Sequence, residues 1–248
     1  MRKVVIFEIR GPAAHFRKFY TNSSSLSYAF PPRTTLAGIV AAVLGLPKDS
    51  YYSLLTGKEA HYALRLMTPV RKIMQTVKFV RTKTIKEVNG SGGPTMIPTE
   101  IILPVRGREL FYRVYFYHDD PDFQEELAKQ LALGPKFPVY LGRSEFLAKI
   151  NFLGVFPGTA LETNFVDTVV NLQLLNDEEL LFSTPDGEDL RYLKEKMPFS
   201  FNPDRSIASI SSVVYEINGK RVGGRFKVPA FQIDSLGDVV LFLEPGGM

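Results

Sequence analysis

Arg17, Lys18 and Arg33 lie with His15 and two clusters of small hydroxyl residues in one stretch, GPAAHFRKFYTNSSSLSYAFPPRTTLAGIVAAVLGL, from Gly11 to Leu46. The three cations suit phosphate. Ser23, Ser24, Ser25 and Thr34 can donate to phosphate or 2′-hydroxyl oxygens. Phe16, Tyr20 and Tyr28 offer faces on which bases stack, at roughly 1–3 kcal/mol per base. No Asp or Glu occurs between Ile9 and Lys48. A long loop that is basic, aromatic and rich in hydroxyls suits single-stranded nucleic acid. The competing reading is an ordered Ω-loop whose aromatics cover a core, a role expected for some of Phe16, Phe19 and Phe30. Long ordered loops tend to be functional, which favours binding.

A second basic segment runs from Arg71 to Pro104. Two β-rich arms, KIMQTVKFVRTKTIKEV and TMIPTEIILP, flank Asn89-Gly90-Ser91-Gly92-Gly93-Pro94 and predict a long hairpin. It carries Arg71, Lys72, Lys78, Arg81, Lys83 and Lys86, and no acid occurs from Ala60 to Lys86. Each cation that meets a phosphate on a single strand steepens the salt dependence by roughly 0.7 in the log–log slope. Lysines also discourage edge pairing of an exposed hairpin, but the length of this one favours a reaching arm.

Signals for catalysis are weak. His15 beside Arg17, Lys18 and Tyr20 could run general acid–base cleavage at an RNA 2′-hydroxyl without a metal. A single His among cations holds phosphate more often than it cuts, so no catalytic residue is assigned. There is no Walker loop, dinucleotide fingerprint or zinc-ligand pattern. Asp119, Asp120 and Asp122 are explained by a helix N-terminus. With no cysteine, disulfides, thiolate metal sites and Cys nucleophiles are excluded. No metal and no cofactor is expected, and the lack of cysteine fits a reducing cytoplasm.

The elements that must position these residues can be read from the hydrophobic pattern. Lys3–Arg10 is a strand. Pro31-Pro32 ends the loop, and Thr34 or Thr35 can cap a helix to about Leu44 that is apolar on every side and therefore buried on more than one face. A short helix at Asp49–Leu55 and a strand at His61–Thr68 follow. Leu110–His118 is a strand, with Phe111, Arg113, Tyr115 and Tyr117 on one face, expected to pack under the second half of the chain. Asp120-Pro121 starts a helix to about Leu133. FPVYLGRSEFLAKI (137–150) reads as a strand, a Gly142 turn and a strand. Beyond Phe156 short strands dominate, with a helix expected near Glu188–Met197. Without the hairpin, the order through residue 150 is β-α-β-β-α-β. This is an α+β, ferredoxin-like arrangement of the kind used by RNA-recognition (RRM-type) domains. The predicted domains are 1–154, with the insertion at 71–104, and a smaller β-rich part at 155–248.

The chain has 248 residues, 45% of them hydrophobic, enough for a substantial core. Its longest apolar run, Leu36–Leu46, is about half of the ~20 residues that span a bilayer, so no membrane role is expected. Residues 1–118 hold 18 Lys and Arg against 6 Asp and Glu, and residues 119–248 hold 12 against 20. The halves therefore carry +12 and −8, which sum to the overall +4. A first half facing a polyanion accounts for this asymmetry, and so do halves that neutralise each other across an internal interface.

The Gly11–Leu46 block and YLGRSEFLAKI together resemble the two signature blocks of the fifth CRISPR-associated (Cas) family, and within it the branch found in type I-B effector complexes. The match covers roughly the first 150 residues. The resemblance implies a ferredoxin-like domain with a thumb-like hairpin and a smaller β-rich C-terminal part. It implies a Cascade subunit of antiviral defence that binds the repeat-derived 5′ handle of the crRNA. The implied protein partners are the last backbone subunit and the large subunit, with target DNA near the adjacent motif. Carried over by position, His15–Lys18 and Arg33–Thr35 lie in the handle-binding region, Arg71–Pro104 is the thumb, and Arg143 with Ser144 belongs to the second block. One branch of the family cleaves repeat RNA with a Tyr, a Lys and a His. No Lys-His pair occurs in this chain, which argues for a non-catalytic binding subunit over a metal-independent repeat endoribonuclease.

Overall fold

A computed structural model describes residues 2–244. Strand β1 (Arg2–Gly11) is buried on both faces, which is why its apolar residues run on without alternation. Val5, Phe7 and Ile9 face one core, while Val4 and Ile6 face another. Helix α1 (Arg33–Leu44) follows the polar loop, then a short helix α2 (Tyr52–Thr56) and strand β2 (Ala60–Leu66). The hairpin consists of β3 (Val70–Val80) and β4 (Pro94–Pro104). Then come β5 (Leu110–His118), helix α3 (Pro121–Leu133) and β6 (Lys149–Leu161). Farther on lie β7 (Tyr192–Phe201), β8 (Ile207–Glu216), β9 (Ala230–Ile233) and β10 (Asp238–Val240).

The result is a mixed α/β protein built on a six-stranded sheet of order β10-β9-β6-β1-β5-β2, in which every neighbouring pair is antiparallel. Helices α1 and α3 share the core on one face. On the other face, Tyr115 of β5 packs with Phe231, Ile233, Val240 and Phe242. Arg113 reaches Glu8 and Asp238, each at 2.8 Å. The alternation of β5 thus works as its sequence suggests, one face under the C-terminal strands. Asp120 caps α3, accepting from the amides of Asp122 and Phe123, with Pro121 at the first helical position. Among the described residues no helix is long and apolar enough to cross a membrane.

Several expectations are corrected. Helix α1 has Pro32 at its N-cap with no side-chain cap, so neither Thr34 nor Thr35 caps it; the Pro32 carbonyl takes the Thr35 and Leu36 amides instead. Segment 137–150 is not two strands. The Gly142 turn exists, but only Tyr140 and Leu147 form a bridge, and the sheet strand begins at Lys149. The first hairpin arm ends at Val80, where a Thr84–Glu87 capping box winds a 3-10 turn into the tip. The helix expected at Glu188–Met197 is absent, and Tyr192–Met197 belong to strand β7. Its helix-forming residues pair with the β-branched run of β8, and that ladder overrides local propensity. The 154/155 boundary falls within β6, and Val169, Met197, Val213, Tyr215 and Leu243 share the core of α1. That shared packing covers part of the surface of α1 that the sheet leaves open.

Candidate nucleic-acid interface

The Gly11–Pro32 loop is not free. Its backbone is sewn to β4: Ala14 and Ile102 exchange amide bonds at 3.0 and 2.9 Å, the Ser25 amide donates to Pro98 O at 2.8 Å, and the Glu100 amide donates to Ser25 O at 2.8 Å. Within the loop, Phe16–Arg17 pairs with Ser27–Tyr28. A third segment closes the arrangement, because the His15 amide donates to Leu141 O at 3.0 Å. At Gly142, φ is +88°, and a Cβ there would stand 2.0 Å from the His15 carbonyl oxygen. No other residue allows this approach.

Between these three segments opens a groove of about 460 Å³, lined by His15, Arg17, Asn22, Ser24, Ser25, Thr35, Phe79, Ile97, Gly142 and Arg143, with the edge of Phe16. Arg17 is exposed. The Arg143 guanidinium pairs with Glu145 at 2.8 Å and lies 5.2 Å from the Phe79 ring centroid, a cation–π arrangement. Cations, hydroxyls and an aromatic face therefore converge from parts of the chain about 130 residues apart, on the scale of a domain. Phe79 and Glu100 carry no sequence signal for this site, and Gly142 is legible in the sequence only as a turn. Glu100 is one of two acids within the basic hairpin, with Glu87: its carboxylate accepts from the Ser27 amide at 2.7 Å and lies 3.4 Å from Lys72.

His15 is buried. Its Nδ1 donates to the Glu100 carbonyl at 2.6 Å, which leaves Nε2 to accept from the Ser25 hydroxyl at 2.8 Å. Both ring nitrogens are occupied by structural partners. Burial, reinforced by Arg143 and Arg17, holds the ring below the ordinary histidine value of 6.5 against the pull of Glu100. Burial lowers His61 as well. A depressed folded pKa means that the unfolded chain binds more protons once pH falls below about 6.5, so acidification destabilises the fold. The urea midpoint is expected to be lower at pH 5.5 than at pH 7, and His15→Gln should shrink the difference. An equal or higher midpoint at pH 5.5 refutes this.

Three further residues assigned to RNA from the sequence are engaged by the protein itself. Arg33 is 2% exposed. Its Nε donates to Glu244 at 2.6 Å, and its two terminal nitrogens donate to the carbonyls of Thr56, Phe199, Gly57 and Ala60 at 2.8–3.1 Å. Lys18 pairs with Glu195 at 2.6 Å; burial opposes its charge, but the carboxylate outweighs that and raises its pKa. The Phe16 ring packs edge-on against Tyr112 in the core. Tyr28, the other buried aromatic of the loop, donates its hydroxyl to Lys196 O.

The remaining candidates stand elsewhere. Tyr20 is half exposed, edge-on to Phe19, and Ser23 is exposed. Thr34 lines a neighbouring groove. Arg71, Lys78 and Lys83 project from the hairpin, Arg81 pairs with Glu87 at 3.4 Å, and none of the four lines the Arg17 groove. Ser144 is exposed beside Glu145.

The family model described as CRISPR-associated protein (Cas_Cas5) matches residues 4–214. The chain belongs to the Cas5 family. The crystal structure of a CRISPR protein from Archaeoglobus fulgidus is similar at a TM-score of 0.57 with 13% identity, covering 98% of this chain and 100% of that one, which shows a shared fold. A chain described as part of a CRISPR RNA-guided surveillance complex has 16% identity and a TM-score of 0.49, covering 89% of this chain and 91% of that one. No curated protein sequence matches the chain. For this Cas5 chain, the stretch from Gly11 to Leu46 is therefore one wall of a groove whose other walls are the hairpin base and the Gly142 turn.

Proposed function

We propose that this Cas5 protein is a cytoplasmic, non-catalytic subunit of a type I, Cascade-type complex, resembling the I-B branch, that binds the 5′ handle of the crRNA. Its backbone and large subunits, with target DNA near the adjacent motif, are the partners this role brings. The observation that carries the reading is the groove itself, where Arg17, Ser24, Ser25, Thr35, Phe79 and Arg143 converge. A ferredoxin-like frame is supported by the order β6-β1-β5-β2, with α1 between β1 and β2 and α3 between β5 and β6. In this frame the β3–β4 hairpin is the thumb. The non-catalytic reading is supported by His15, whose two nitrogens are held by Glu100 and Ser25. A general base needs a free nitrogen within reach of the proton it takes.

Replacing Arg17 and Arg143 together by Ala is the test. Two lost phosphate contacts should lower the log–log salt slope by about 1.4 and the guide-RNA affinity by about tenfold or more. Lys18→Ala, which removes a cation already paired with Glu195, should leave the slope unchanged. A double variant that assembles with full guide-RNA occupancy and an unchanged slope defeats the reading. Repeat RNA cut in the presence of chelator, in a manner lost with His15→Ala, establishes the nuclease instead.

A further inference from the structure

Beside the Arg17–Arg143 groove lies a second groove of about 540 Å³. One wall is the outer face of α1, with Thr35, Gly38 and Ala42; the other is made by Tyr51, Phe137 and Tyr140. The segment after α3 is laid across the C-terminal carbonyls of α1: the Lys136 and Phe137 amides donate to Val43 O and Ala42 O at 3.1 and 3.0 Å. These bonds satisfy helix-end acceptors and hold the aromatic wall opposite the helix. Gly38 keeps the floor low, since a Cβ there would already touch the Tyr51 hydroxyl at 3.4 Å. Phe137 and Tyr140 are 51% and 45% exposed, so two large rings face solvent. The one basic side chain lining the groove is Lys48.

The two grooves adjoin, with Thr35 and Gly142 lining both. One offers guanidinium groups and hydroxyls, and the other offers aromatic faces and almost no charge. A nucleotide has the same division, an anionic phosphate joined to an apolar, stackable base. We propose that the aromatic groove is a nucleobase subsite, in which a single-stranded RNA with its phosphate at Arg17 and Arg143 turns one base past Thr35 and Gly142 to stack on Tyr140. The proposal rests on the RNA-binding reading above and adds where, and with which ring, one base is held. A base there is read by stacking, with Lys48 as the donor for a carbonyl oxygen on its edge.

The experiment titrates the full chain with a fluorescein-labelled RNA consisting of the first 12 nucleotides of the RNA recovered with the chain from its own host. A companion series has each nucleotide in turn made abasic. The unaltered protein is expected to lose roughly tenfold in affinity at one position, or at two adjacent ones, in line with a lost base stack. Tyr140→Ala should lose about as much on intact RNA and respond no further to removal of that base, with an unchanged salt slope. Tyr140→Phe should bind as the unaltered protein does. A 2-aminopurine at the sensitive position should be quenched on binding and regain fluorescence with Tyr140→Ala. A flat abasic profile in the unaltered protein overturns the subsite without recourse to any variant. So does Tyr140→Ala with unaltered affinity and profile while the Arg17/Arg143 variant fails to bind; in both cases the RNA reading survives. A chain from which no RNA is recovered overturns both.

Discussion

Arg33→Ala is expected to lower the unfolding free energy by about 3–5 kcal/mol, the usual cost of removing one member of a buried ion pair. The Glu244 carboxylate, 9% exposed, would be stranded without the guanidinium at 2.6 Å, and four backbone carbonyls would each lose the donor that Arg33 supplies. Those carbonyls belong to Thr56, Gly57, Ala60 and Phe199, so one side chain ties α2, the start of β2 and strand β7 to the end of the described chain. Urea denaturation with an unchanged m-value reads the loss directly. Adding Glu244→Ala should recover part of it, because the stranded carboxylate is removed, though not the part due to the carbonyls. Under conditions where the variant is folded, its RNA affinity should match that of the unaltered protein. A variant of normal stability that has lost RNA binding would return Arg33 to the interface.

Gly142→Ala should cost about tenfold or more in guide-RNA affinity, the largest effect expected of a single added methyl group. At φ +88° an L-residue is strained by about 1–3 kcal/mol. The larger consequence is steric: the methyl would overlap the His15 carbonyl oxygen at 2.0 Å and press on Phe16 at 3.1 Å, so backbone must move. The movement would break the His15–Leu141 hydrogen bond and separate Arg17 from Arg143. Gly134→Ala is the control. Its φ is +103°, yet its Cβ would meet nothing within 4 Å, so it carries the strain without the collision. Amide exchange should quicken at His15 and Phe16 in Gly142→Ala and stay slow in Gly134→Ala. Equal RNA affinity in the two variants would mean that the loop and the Gly142 turn do not form one site.

Elements with strong local signals were legible from the sequence. Strand β1 is announced by its apolar run, α3 by Asp120-Pro121, and β5 by an alternation that both of its faces obey. Where local preference and tertiary pairing disagree, pairing prevails. Residues 188–197 read as a helix because Leu, Glu, Lys and Met favour one, yet β8 draws most of them into a ladder that also buries Glu195 against Lys18. The 137–150 segment reads as two strands, but its first amide, at Phe137, is used by α1, as is that of Lys136 just before it. Nothing local indicates that Gly142 faces His15, since that contact exists only once loop and turn are stacked.

The sequence by itself determined the chemistry in stock: an acid-free loop of cations and hydroxyls, a basic hairpin, and a match to Cas5 over residues 4–214. It also determined that loop and hairpin lie in the basic half of the chain. Only the tertiary structure decided which cations are available to a ligand. Lys18 is taken by Glu195, 177 residues away, and Arg33 by Glu244, 211 residues away. Arg17 stays exposed and gains Arg143 as its neighbour across the groove. The physical reason is that charge is neutralised through space, over a few ångströms, whereas an acid-free run is counted along the chain. A buried cation must find a carboxylate from somewhere, and here the acidic half of the protein supplies it.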